Sequence, residues 1–135
     1  MAELYLAKPA IEFKTEYLDM LEDWKQSGEK LVPWVLSFET RDFSAMIAML
    51  EGYGKGMGLQ DDQVEHSTYW LVNHEKKVLG AVNIRQRLND YLSRNGGHIG
   101  YGIRPSARGK GYATEILRLA LLIAQSLGIE KALIT

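Results

Sequence analysis

Between Gly102 and Glu115 the chain reads Gly-Ile-Arg-Pro-Ser-Ala-Arg-Gly-Lys-Gly-Tyr-Ala-Thr-Glu, placing glycines and cations just ahead of a long amphipathic run. A loop of this kind exposes backbone N–H groups at a helix N-terminus, where the dipole favours an anion. Gly109 and Gly111 tolerate φ > 0 and close approach of a ligand to the backbone. Arg108 and Lys110 can add charge-assisted contacts. The chemistry that suits these residues is a grip on phosphate or pyrophosphate. Two common phosphate motifs do not fit. A P-loop needs Gly five residues before Gly109-Lys110 and Ser or Thr after it, but those positions hold Arg104 and Gly111. The dinucleotide fingerprint G-x-G-x-x-G would start at Gly100-x-Gly102 and then meets Pro105.

The loop must be held by the elements around it. Glu3 to Lys8 alternates polar and apolar and ends at Pro9, as a strand does. Phe13, Tyr17, Leu18, Leu21 and Trp24 recur at helical spacing, and Gly28 closes that helix. The apolar stretch from Leu31 to Phe38 contains Pro33 and reads as a packed loop. A second helix is expected over Asp42 to Tyr53, with Phe43, Met46, Ile47 and Leu50 on one face. Gly52, Gly54, Gly56 and Gly58 break it, and the segment up to His66 is expected to be mobile. Thr68–Asn73 and Lys77–Arg87 form a hairpin across a polar turn, and Asn89–Gly97 is a polar loop. His98–Ile103 is the next strand. A third helix spans Lys110 to Ser126 with the stripe Ala113, Ile116, Leu117, Ala120, Ile123, Ala124 and Leu127, and Gly128 ends it. Ile129 to Thr135 reads as a last strand. The order is β-α-α-β-β-β-α-β, without repeats or linker, so residues 1–135 are expected to form a single domain.

Arg108-x-x-Gly111-x-Ala113 resembles the R/Q-x-x-G-x-G/A signature of the GNAT-type N-acetyltransferases, and Ile103 to Glu115 looks like that family's strand 4 to helix 3 junction. The element order is similar to the family's across nearly the whole chain. The resemblance implies an α/β fold with a mixed sheet, its last strand–helix–strand a right-handed parallel crossover. It implies acetyl-CoA as cosubstrate, no metal, and acetyl transfer to a primary amine of a small molecule or peptide, by direct attack in a ternary complex. Carried onto this chain, Arg108, Gly109, Lys110, Gly111, Tyr112, Ala113 and Thr114 would wrap the pyrophosphate. Tyr101, Gly102 and Ile103 would pair with the pantetheine arm and polarise the thioester carbonyl.

The proton acceptor is less defined by this resemblance. The family's two positions for a basic carboxylate fall near Gly97 and Thr135, and neither residue is a base. His98, beside the first, has a side chain suited to the task, and a water chain is the alternative. Trp34, Phe38 and Tyr53 lie where the family places its acceptor, or else they are core aromatics. Asp61, Asp62 and Glu65 could attract a cationic amine or be solvated surface. His66 and His74 are expected to be exposed.

Family members usually continue for another helix and two strands. An end at Thr135 predicts an incomplete domain with an exposed sheet edge, open to pairing with a second copy. A non-catalytic acyl-CoA-binding or oligomerising fragment is therefore the alternative function. Composition narrows the classes further. The 135 residues are 46% apolar and 24% charged, which is an ordinary globular balance. A net charge of −1 gives no basic field for nucleic acid. There is no cysteine, hence no disulfide framework or thiolate metal site. Neither a signal peptide nor an apolar run of ~20 residues is present, so no membrane partner and a cytoplasmic location are expected.

Overall fold

A computed structural model describes residues 3–60, 63–87 and 98–129. Strand β1 (Leu4–Ala7) is followed by a short 3-10 turn (Ile11–Phe13) and helix α1 (Lys14–Ser27). A second 3-10 turn (Trp34–Ser37) leads to helix α2 (Phe43–Gly54). Strands β2 (His66–Asn73), β3 (Val78–Arg85) and β4 (Ile99–Ile103) follow, then a 3-10 turn (Pro105–Ala107) and helix α3 (Tyr112–Ser126). The strands pair antiparallel in the order β1-β2-β3-β4. This α/β arrangement is the one expected, but residues 130–135 of the expected last strand and most of the loop before β4 lie outside the described residues.

Helices cover both faces of the sheet. Phe13, Tyr17, Met20 and Trp24 of the α1 segment join Phe43, Met46 and Leu50 of α2 against Trp70, Val72, Val78 and Ala81. On the other face Ile116, Ala120 and Ala124 of α3 meet Leu71, Val82, Ile84, Ile99 and Ile103. Double coverage is why Tyr69–Val72 of β2 and Val78–Val82 of β3 read as apolar runs rather than clean alternation. Tyr17 stacks on Trp70 at 4.2 Å between ring centroids, pinning α1 to the sheet.

Local chemistry sets the boundaries. The Asp42 carboxylate accepts from Ala45 N–H at 3.0 Å and starts α2. Asn73 Oδ1 accepts from the N–H groups of Glu75 and Lys77, both at 3.0 Å, and closes the β2–β3 turn. Strand β2 begins two residues earlier than expected, so His66 is not in an exposed loop. It is 4% exposed, within the sheet. Helix α3 begins at Tyr112 rather than Lys110, because Gly111 adopts a left-handed φ of 81° that no helix interior accepts. No helix among the described residues is long and apolar enough to cross a membrane.

Candidate functional site

Strand β4, the turn after it and the start of α3 enclose a cleft of about 350 Å³. Its walls include Tyr101, Gly102, Ile103, Arg108, Gly109, Gly111, Tyr112 and Ala113, eight of the ten residues expected around a cofactor. Lys110 and Thr114 are not among the lining residues and are exposed beside it. The opposite wall comes from Trp24 at the end of α1 and from Glu29, Lys30 and Val32 in the loop after it. Nothing in the sequence marks those four, because they reach the cleft only through packing of α1 on the sheet.

The backbone of the loop is open where an anion would sit. Gly109 and Gly111 have φ of 80° and 81°, and a Cβ built on either would meet nothing within 4 Å. No side chain caps the α3 N-terminus at Gly111. The N-terminal N–H groups, which have no intrahelical partner, thus have room for an external acceptor. These features fit the diphosphate of a coenzyme.

Strand β4 contributes in a different way. The Arg104 N–H bonds the Leu79 carbonyl at 2.9 Å, and the His98 carbonyl accepts from the Arg85 N–H at 2.7 Å. Even-numbered positions therefore turn their backbone toward β3. The Ile103 carbonyl instead accepts from Arg108 Nε at 3.1 Å, so odd positions turn outward. Of the three β4 residues expected to contact a thioester, Tyr101 thus directs its N–H to the outer edge, whereas Gly102 does not. Gly102 has another reason to be glycine. A Cβ there would collide with the Val32 carbonyl oxygen, and it would lie 2.9 Å from the Val32 carbonyl carbon and 3.1 Å from Trp24 Cη2. The close approach at Gly102 is made by the chain's own loop.

A buried ion-pair group supports the cleft from behind. Arg104 is 7% exposed. It donates to Asp23 Oδ2 at 2.8 Å, Asp19 Oδ2 at 2.7 Å and the Val78 carbonyl at 3.2 Å. Asp23 also accepts from the Ser106 N–H at 3.2 Å and from the Ser106 hydroxyl. Burial alone would raise the Asp23 pKa, but the hydrogen bonds from Arg104 and Ser106 outweigh it and hold the carboxyl below its usual range. One carboxylate on α1 thereby fixes the turn that leads into the loop. At the cleft's mouth, the Arg108 guanidinium grips both Glu29 carboxylate oxygens, at 2.8 and 2.9 Å, and lies 5.9 Å from the Trp24 ring centroid.

The family described as acetyltransferase (GNAT) domain matches residues 4–135. The chain belongs to the GNAT acetyltransferases. Neither the curated proteins nor the solved structures gave a match. Membership makes acyl transfer from an acyl-CoA the general chemistry of this GNAT domain, and the cleft is the place in its fold where the signature residues converge.

The remaining candidates fall elsewhere. His98 precedes β4, is half-buried and does not line the cleft. Burial and the positive charge of Arg85 lower its pKa, so it is neutral and a weaker base than a free imidazole. Gly97, Asp61, Asp62 and Thr135 lie outside the described residues. Trp34, Phe38 and Tyr53 do come together. The Trp34–Phe38 centroids are 5.0 Å apart and those of Phe38 and Tyr53 6.0 Å. Tyr53 also stacks on His66 at 4.8 Å. His74 is exposed in its turn, as expected.

His66 makes stability acid-sensitive. Burial, aided by the charge of Arg85, lowers its pKa to about 4. Between that value and the unfolded value near 6.5 the unfolded chain binds more protons, so stability rises with pH across this window and is lost as pH falls through it. Between pH 7 and pH 4.5 the His66 contribution to that loss is roughly 2–3 kcal/mol, at about 1.4 kcal/mol per pH unit over most of the interval. Urea titrations at pH 7 and pH 4.5 will show the decline, and His66→Phe will flatten it.

Proposed function

We propose that this GNAT domain binds acetyl-CoA in the β4–α3 cleft and transfers the acetyl group to a primary amine of a small molecule or peptide, by direct attack in a ternary complex. The observation that carries the reading is the loop at Gly109 and Gly111, which is left-handed, uncapped and unfilled where a diphosphate would rest. Backbone N–H groups from Gly109 to Thr114 hold the diphosphate, and Arg108 and Lys110 add charge. The pantetheine arm runs along the outer edge of β4. There the Tyr101 N–H donates to the thioester oxygen as negative charge develops. The amine nitrogen forms a bond to the carbonyl carbon, the C–S bond breaks, and the thiolate leaves. His98 or a water chain takes the ammonium proton.

Isothermal titration with acetyl-CoA and thiol release against an amine panel test this directly. No binding of acetyl-CoA would end the cofactor assignment, and binding with no thiol release for any amine would end the transfer assignment. Glu29 supplies a finer check. Its carboxylate occupies Arg108 and would repel a bound diphosphate. Both groups are about half exposed, so the pair is worth about 0.2–1 kcal/mol. Glu29→Gln should therefore tighten acetyl-CoA binding by up to about fivefold, with the gain shrinking at high salt.

A further inference from the structure

The strongest anomaly away from the cleft is a buried polar pair on the helix-α2 side of the sheet. Asn83 is 0% exposed and His66 4%. The Asn83 amide nitrogen lies 2.8 Å from His66 Nδ1 and donates to Thr68 Oγ1 at 3.2 Å. His66 Nε2 and Asn83 Oδ1 are nevertheless buried without a hydrogen-bond partner among the described residues. A buried polar atom left unpaired is costly, and two in one bonded pair call for a cause.

The pair has a definite valence. With Asn83 donating, His66 Nδ1 is the acceptor and the ring hydrogen sits on Nε2. The unused groups are then one donor, Nε2–H, and one acceptor, Oδ1. Reversing the amide exchanges the two roles and again leaves one donor group, now the Asn83 NH2, and one acceptor, His66 Nε2. Either way, the complement is a group that offers one donor and one acceptor, and an amide is such a group. An isolated ammonium or an isolated carboxylate would satisfy only half of it.

The surroundings suit an occupant that is apolar next to that amide. Tyr53 stacks on His66, Trp34 lies 5.7 Å from the ring, and Phe38 joins these two aromatics. Trp34 is 38% exposed, so this aromatic group reaches the surface. The pair also lies close to the transfer site. Asn83 is directly opposite Gly100 on β4, and Gly100 stands two residues, about 7 Å, from the cleft residue Gly102. No side chain projects from Gly100 between them.

We propose that His66 and Asn83 form the acceptor-recognition site of this enzyme, reading an amide carried next to the reactive amine, with Trp34, Phe38 and Tyr53 enclosing the neighbouring apolar side chain. This rests on the acetyltransfer reading above. The acceptor class is an amino-acid amide or a peptide N-terminus, which share the amine–amide arrangement.

The test compares L-leucinamide, the peptide Leu-Gly-Gly and 3-methylbutylamine, which is leucinamide without its amide. The native protein should use one or both amides at least about tenfold better in kcat/KM than the bare amine, mostly through KM. Which amide is better separates a free small molecule from a peptide end. In His66→Phe the preference should fall to within about twofold, with acetyl-CoA affinity unchanged. A second readout needs neither turnover nor a variant. With CoA bound, the ¹⁵N resonance of His66 Nε2 should move on adding an amide and stay fixed with 3-methylbutylamine. Equal use of all three amines, a preference that survives His66→Phe, or an unmoved Nε2 resonance overturns the proposal. If acetyl-CoA itself does not bind, the cofactor reading has failed instead.

Discussion

Replacing Gly102 by alanine will destabilise the protein by about 3 kcal/mol or more and abolish acetyl-CoA binding in whatever fraction still folds. The added Cβ would collide with the Val32 carbonyl oxygen, and the next neighbours are the Val32 carbonyl carbon at 2.9 Å and Trp24 Cη2 at 3.1 Å. Two of these three atoms are backbone, which cannot swing aside as a flexible side-chain end can. Trp24 is 1% exposed and packed in the α1 core, so it has no space to enter. The Val32 loop must therefore lift, and that loop is one wall of the cleft. Gly109→Ala is the matched comparison. A Cβ there meets nothing within 4 Å, and the cost is confined to a left-handed φ of 80°, about 1–2 kcal/mol. Urea denaturation of the two variants should separate collision from backbone strain. Equal stabilities would mean that the Val32 loop yields without cost.

Arg104→Met should cost about 3–5 kcal/mol and weaken acetyl-CoA binding, although Arg104 does not line the cleft. Its guanidinium is the counter-charge of Asp23, whose side chain is 18% exposed, and of the more exposed Asp19. Methionine would replace the packing of the arginine stem but leave the Asp23 carboxylate without its cation. Asp23 also holds Ser106 in the turn leading to Arg108, so disorder introduced there passes into the loop. The pH dependence identifies the cause. The Asp23 pKa is depressed in the folded state. Its contribution is therefore present above the unfolded value near 4 and lost as pH falls through the folded value. Acid sensitivity below about pH 4 should diminish in Arg104→Met. Denaturation at pH 3 and pH 7, with titration of acetyl-CoA at pH 7, measures both effects. Unchanged stability at pH 7 would show that the pair contributes nothing net, as some buried ion pairs do.

The sequence by itself determined the described helices and strands, and it marked the loop that lines the cleft. Helices announced themselves because one apolar stripe recurs at their period, as Tyr17 and Trp24 or Ile116 and Ala120 do. The run from Ile103 to Glu115 was legible because the proposed diphosphate grip is local. Its glycines, its cations and its helix start are neighbours in the chain, and backbone conformation supplies most of the chemistry.

The tertiary structure alone decided what faces that loop. Glu29 reaches Arg108 across 79 residues and Asp23 reaches Ser106 across 83, distances over which no spacing rule operates. Gly102 could be read from sequence as a place where something comes close, but not that Val32 is what comes close. By sequence His66 falls in the loop segment ahead of a strand expected from Thr68, where exposure is the simplest expectation. Pairing of β2 with β3 sets it beside Asn83, and packing of α2 lays Tyr53 over it. Burial is a property of the assembled sheet and helices, and so is the neutrality that burial imposes on this imidazole.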